Sequence, residues 1–142
     1  VRGLENLMSL DVSYNGLRGD PAYALLQGVY TNGQNEGELR DLNLGWNCLG
    51  EGAAHGRVTR MLSSVLNDCK SLFHLDISYN HFSAEDCDLL ADGIRKNHSL
   101  WGVHIEGNKA MIDADGFICV FQEEGVMVTE QAPRSRAATP DK

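Results

Sequence analysis

A chain of 142 residues with 42% apolar side chains has the size of one domain and enough apolar material for a continuous core. Twenty Asp and Glu against twelve Lys and Arg leave a net charge of −8, which repels nucleic acid and anionic membrane surfaces and favours a basic or neutral protein partner. Four widely spaced cysteines without a C-x-x-C pair, no signal-peptide pattern and no membrane-length apolar run argue against a disulfide scaffold or a spanning protein, and point to a soluble chain in a reducing, cytoplasmic-type compartment.

The chain opens on Val1-Arg2-Gly3 without an initiator Met and enters a repeat almost at once, leaving the first face without an obvious polar cap and suggesting a fragment or a processed chain. The first copy is Leu7-Met-Ser-Leu10-Asp-Val12-Ser-Tyr-Asn15-Gly-Leu17, which fits L-x-x-L-x-L-x-x-N-x-L. A helix follows, with Asp20 before Pro21 marking its start and Ala22, Leu25, Leu26 and Val29 forming its apolar stripe. The stretch Thr31–Glu38 carries glycine, amides and charge but no apolar residue, so it reads as a solvent-exposed insertion.

Leu39-Arg-Asp-Leu42-Asn-Leu44-Gly-Trp-Asn47-Cys-Leu49 restarts the motif, and Val58, Met61, Leu62, Val65 and Leu66 give the next helical stripe. Leu72-Phe-His-Leu75-Asp-Ile77-Ser-Tyr-Asn80-His-Phe82 is the third copy. Ser83 with Asp86 three residues on reads as a helix start, after which Cys87, Leu90, Ala91 and Ile94 face the core. A fourth copy, Leu100-Trp-Gly-Val103-His-Ile105-Glu-Gly-Asn108-Lys-Ala110, ends on a small residue and reads as the last full turn.

The four asparagines lie 32, 33 and 28 residues apart, room for a strand and a full helix in each unit. Leu10/Val12, Leu42/Leu44, Leu75/Ile77 and Val103/Ile105 then alternate inward from parallel strands while the helices cover the other side. From about Phe117 the pattern dissolves, so the domain plan is an α/β repeat unit over 1–117, a capping segment over 118–128 and a tail over 129–142 that is disordered or ordered by a partner.

With these four motif copies, about 28 to 33 residues apart, the chain resembles the ribonuclease-inhibitor-like subfamily of leucine-rich repeat proteins over roughly residues 4–117. Tropomodulin's C-terminal domain and the Ran GTPase-activating protein are similar in the same way. The resemblance implies a right-handed β-α solenoid of about four repeats, with a parallel sheet on the concave face and helices on the convex one. It implies protein binding and says little about which partner.

Equivalent positions of neighbouring strands lie about 5 Å apart, so side chains stack into columns. Position five of the motif gives Asp11, Asn43, Asp76 and His104, position three gives Ser9, Asp41, His74 and Gly102, and Glu106 follows nearby. Asp41/His74 and Asp76/His104 then read as weak, pH-sensitive pairs on a solvated face, and the absence of any ligand spacing argues against a metal. Position eight gives Tyr14, Trp46 and Tyr79, a column of partner-anchoring type, followed by Gly107. Asn15, Asn47, Asn80 and Asn108 read as a structural ladder satisfying backbone groups at the turns. Phe73 and Trp101 are expected to cap the core, and the cysteines to be small core residues.

Gly45-Trp-Asn-Cys-Leu-Gly50 has P-loop-like glycine spacing, yet Glu51 stands where a phosphate-binding lysine belongs, so nucleotide binding is excluded there. No hydrolase, zinc-protease or dinucleotide motif occurs. The expected function is non-catalytic and cofactor-free: a module that binds a protein through Asp11, Asp41, Asn43, His74, Asp76, His104, Glu106 and the aromatic column. The alternatives are an architectural subunit of a cytoskeletal or ciliary complex and a solenoid acting on a GTPase.

Overall fold

In the computed structural model, which describes residues 5–121, three-residue strands alternate with full helices along the chain. The order is β1 (Ser9–Asp11), α1 (Gly19–Gln34), β2 (Asp41–Asn43), α2 (His55–Asp68), β3 (His74–Asp76), α3 (Ala84–Lys96) and β4 (Gly102–His104). A hairpin of β5 (Ala110–Ile112) and β6 (Ile118–Val120) closes the described chain.

Strands β1 to β4 form one parallel sheet in chain order, with Leu10, Leu42, Leu75 and Val103 in register. Each step needs a crossover, because parallel neighbours cannot be joined by a tight turn, and the helix after each strand supplies it. Helix α2 packs against both α1 and α3. The core lies between sheet and helices: Leu42, Leu44, Leu75, Ile77 and Ile105 meet Leu26, Val58, Leu62, Val65, Leu66, Leu90 and Ile94, all fully buried. Such a leucine contributes about 2 kcal/mol through water exclusion. Gly33 lets α1 approach closely, since a Cβ there would lie 2.4 Å from Cys69 Sγ.

The helix starts differ in how their first N–H groups are met. At α3, Ser83 Oγ accepts from the Asp86 N–H (3.1 Å) while Asp86 Oδ2 accepts from the Ser83 N–H (3.2 Å), a reciprocal capping box. The buried Asp86 also accepts from Thr59 Oγ1 at 3.1 Å, tying α3 to α2. Helix α1, by contrast, begins at Gly19 after an Arg18 that offers no side-chain cap, so Asp20 is inside the first turn rather than its marker. The Asp20 carboxylate instead meets Arg57 of α2 at 3.4 Å.

A second departure from expectation concerns residues 31–38. Thr31–Gln34 are the last turn of α1, with Thr31 Oγ1 donating to Gln27 O (2.9 Å) and Asn32 buried. Polar composition signalled a loop, but a hydroxyl bonded one turn back suits a helix end equally well. The chain leaves the helix at Asn35 and Glu36, the latter in the left-handed region (φ 60).

The hairpin turns back on the end of the repeat region, and Ile118 and Val120 are buried against the core beside α3. The rest of the expected capping segment and the expected tail lie outside the described residues. Among the described residues no helix is long and apolar enough to cross a membrane.

Candidate interaction surface on the sheet

The register places Asp11, Asn43, Asp76 and His104 in one row across the sheet face away from the helices, and Ser9, Asp41, His74 and Gly102 in another. Two of the acidic groups in the first row are bound locally. Asp11 Oδ1 accepts from the Ser13 N–H (2.9 Å) and hydroxyl (2.6 Å), and Asp76 Oδ1 accepts from the same two groups of Ser78 at the same distances. The Ser13 hydroxyl, helped by its N–H, holds the Asp11 carboxyl below the usual range. In the second repeat Asn43 Oδ1 takes the equivalent Gly45 N–H at 2.9 Å.

The histidines do not adopt the carboxylate pairings that strand order suggests. His74 Nε2 and His104 Nε2 are 3.1 Å apart, so one ring donates to the other, and His104 Nδ1 lies 3.6 Å from Glu106 Oε1. The cause is Gly102: it faces His74 across the β3–β4 pair, and a Cβ there would lie 2.4 Å from His74 Cδ2. His74 leans into the space that any other residue would fill.

At the C-terminal edge of the strands, Tyr14, Trp46 and Tyr79 stack on one another. Ring centroids are 5.4 Å apart for Tyr14–Trp46 and 4.1 Å for Trp46–Tyr79, with interplanar angles of 9° and 14°. The three remain 72%, 47% and 43% exposed, so they do not pack beneath the adjacent loops. Each sits on left-handed backbone, with φ of 58°, 57° and 52°. The N–H groups of Tyr14, Trp46 and Tyr79 donate to Gly45 O, Ser78 O and Glu106 O of the following repeat, which fixes that conformation. A non-glycine residue there costs about 1 kcal/mol or more. Gly107 takes the position without strain, and its missing Cβ leaves room for the Tyr79 ring.

Directly after each position-eight residue comes an asparagine, and the side chains of Asn47, Asn80 and Asn108 each bridge two repeats. Asn47 Oδ1 accepts from the N–H groups of Asn15 and Leu17, and its Nδ2 donates to Val12 O and Leu44 O. Asn80 Oδ1 accepts from Leu49 N–H while its Nδ2 donates to Leu44 O, Ile77 O and Ser78 O. Asn108 repeats the pattern on Asn80, Phe82, Ile77 and Ile105. Asn15 is exposed and bonds the carbonyls of Val12 and Ser13 in its own turn.

Two residues expected to cap the core are on the surface instead. Phe73 and Trp101, 47% and 52% exposed, stack on each other with centroids 5.8 Å apart at the N-terminal edge of β3 and β4. Their backbones are drawn into the sheet ladder, Phe73 N–H donating to Arg40 O and Trp101 N–H to Phe73 O, which leaves the rings at the rim. Recurrence of an aromatic at one motif position in successive repeats was the signal that would have exposed this second pair. Among the cysteines, Cys69, Cys87 and Cys119 are buried but Cys48 is half-buried. Burial pushes the Cys69 and Cys87 thiols up to about 11 and about 12.

No curated protein matches this sequence. Residues 68–91, from the last residue of α2 through β3 into α3, match the family model described as Leucine Rich repeat, and together with the four-stranded parallel sheet and its three helices this supports a leucine-rich repeat protein.

Proposed function

We propose that this chain is a non-catalytic protein-interaction module, a ribonuclease-inhibitor-like solenoid that receives a basic partner segment along its open sheet face and aromatic edge. Leucine-rich repeat domains generally mediate protein–protein interaction. The observation that carries the finer reading is the stack of Tyr14, Trp46 and Tyr79, exposed and held three times over on backbone that glycine would occupy at less cost. Retaining large rings there makes sense where the rings are used, as flat amphipathic anchors that lose little rotamer freedom on binding. The carboxylates beside them, Asp11 and Asp76 in one row, Asp41 in the next and Glu106 just after β4, favour arginine or lysine, and a guanidinium over such a ring gains about 0.5–2 kcal/mol. In this reading the asparagine ladder is structural, and the buried thiols fit a reducing, cytoplasmic-type compartment.

The test is affinity capture with the wild type and with a Tyr14→Gly, Trp46→Gly, Tyr79→Gly variant. Glycine relieves the left-handed backbone while removing the ring stack, so the variant's stability stays within about 1 kcal/mol of wild type. Selective loss of a protein whose purified form binds the wild type supports the reading. Equal retention of every captured protein overturns the role of the aromatic edge.

The second reading, an architectural subunit with neighbours on more than one side, has its own observation in the exposed Phe73–Trp101 stack, which lies at the opposite strand edge from the first aromatic column. A Phe73→Ser, Trp101→Ser variant that loses a different set of proteins from the glycine variant favours it.

A further inference from the structure

Cys48 and His81 hold the same motif position, directly after the asparagine, in neighbouring repeats, and Glu51 closes a turn with Cys48 through an N–H to Cys48 O bond of 3.1 Å. That turn is fastened to the backbone beside His81. Leu49 N–H donates to Asn80 Oδ1 (3.2 Å), Gly50 N–H donates to Asn80 O (2.9 Å), and Gly50 approaches so closely that a Cβ would lie 2.4 Å from the His81 carbonyl oxygen. His81 itself is left-handed, with φ 61. The outcome is a thiol, an imidazole and a carboxylate whose ligand atoms all lie within 4.8 Å of one another. Glu51 Oε1 is 3.5 Å from His81 Nε2, and its other oxygen is 3.3 Å from Arg18 Nη1.

We propose that Cys48, Glu51 and His81 form a site for a divalent transition metal of the zinc class. One sulfur, one nitrogen and one oxygen donor make up a borderline-soft set that suits zinc and cobalt; magnesium and calcium seek oxygen alone. Zinc bonds of about 2.0–2.3 Å put tetrahedral ligand atoms roughly 3.3–3.7 Å apart, so the Glu51–His81 separation of 3.5 Å already fits, and separations of up to 4.8 Å close by at most about 1 Å through side-chain rotation on a fixed backbone. The thiolate and carboxylate match the charge of the dication, and Arg18 holds the carboxylate oxygen that the metal does not use. Three protein ligands leave a fourth position for water or for a side chain brought by a partner. Sequence spacing hid the site because Cys48 and His81 are separated by a whole helix and meet only through the repeat register.

The full chain, reduced, is titrated with cobalt(II) while its absorption is recorded, and zinc is then added. The expected result is a one-to-one complex with a thiolate-to-cobalt charge-transfer band and tetrahedral ligand-field bands, both bleached by zinc. Cys48→Ser abolishes the charge-transfer band, Glu51→Gln and His81→Gln weaken binding at least about tenfold, and a His74→Gln, His104→Gln variant binds as wild type does. The proposal is overturned if wild type shows no charge-transfer band, if the band survives Cys48→Ser, or if only the His74/His104 variant loses the metal. Thermal melts without metal establish that Cys48→Ser is folded; should it not be, undiminished binding by His81→Gln overturns the proposal by itself.

Discussion

The first motif copy and the third share six of their eleven letters, two leucines and the Asp, Ser, Tyr and Asn, yet their residues live in different surroundings. Leu75 and Ile77 of the third are fully buried, while Leu10 and Val12 of the first are only partly covered. Asn80 is completely enclosed and bonded to two repeats, while Asn15 is exposed and bonded to its own turn. The motif sets local geometry, strand, left-handed turn and amide, in the same way each time. Burial is set by strand and helix packing on both sides, which β3 has between β2 and β4.

The strongest way to break this contrast is to truncate the matched leucines. Leu75→Ala removes a fully buried side chain from the centre of the sheet and destabilises by about 3–5 kcal/mol, whereas Leu10→Ala, beginning half-exposed, costs about 1–2 kcal/mol. Urea denaturation of both variants measures the difference directly. Equal midpoint shifts would mean that the β1 end is as tightly packed in solution as the centre, and the contrast would fall.

The paired asparagines sharpen it with a polar probe. In Asn80→Ala the Leu49 N–H loses its side-chain acceptor and the carbonyls of Leu44, Ile77 and Ser78 lose a donor, in a region where water does not reach them. A loss of about 2–4 kcal/mol is expected, against less than about 1 kcal/mol for Asn15→Ala, whose turn water can solvate. Amide hydrogen exchange at Leu49 provides a local reading: its protection collapses in Asn80→Ala and is untouched in Asn15→Ala.

The same distinction explains what could be read from the sequence. Everything that depends on the motif period was legible: the parallel register, the inward positions of Leu42, Leu75 and Ile77, the α3 capping box at Ser83 and Asp86, and the alignment of Tyr14, Trp46 and Tyr79 in one column. What depends on a neighbour's shape was not. The His74–His104 contact exists because Gly102 lacks a Cβ, and the left-handed backbone under the aromatic rings follows from carbonyls one repeat away. Composition misled at two places: the polar Thr31–Gln34 segment completes a helix, and the apolar Phe73 and Trp101 stand at the rim, because backbone bonding rather than hydropathy decided both.

A smaller effect separates the same regions by pH. Cys87 of α3 and Cys69 at the end of α2 are buried, and burial raises their thiols from 9.0 to about 12 and about 11. Because the folded state holds these protons more tightly than the unfolded chain, the stabilisation linked to them is complete below pH 9.0 and is lost as pH rises towards about 11. Tyr30 of α1 acts in the same direction above its ordinary 10.0, chiefly through the bond its hydroxyl donates to Asp68, so Tyr30→Phe is the control background. In that background Cys87→Ala lowers the melting temperature at neutral pH by emptying a small volume, yet its melting temperature falls less steeply with alkali than that of the parent. Parallel slopes for Cys87→Ala and its parent would show that the alkaline loss arises elsewhere, and would remove the thiols from the difference between the interior of the repeat stack and its surface.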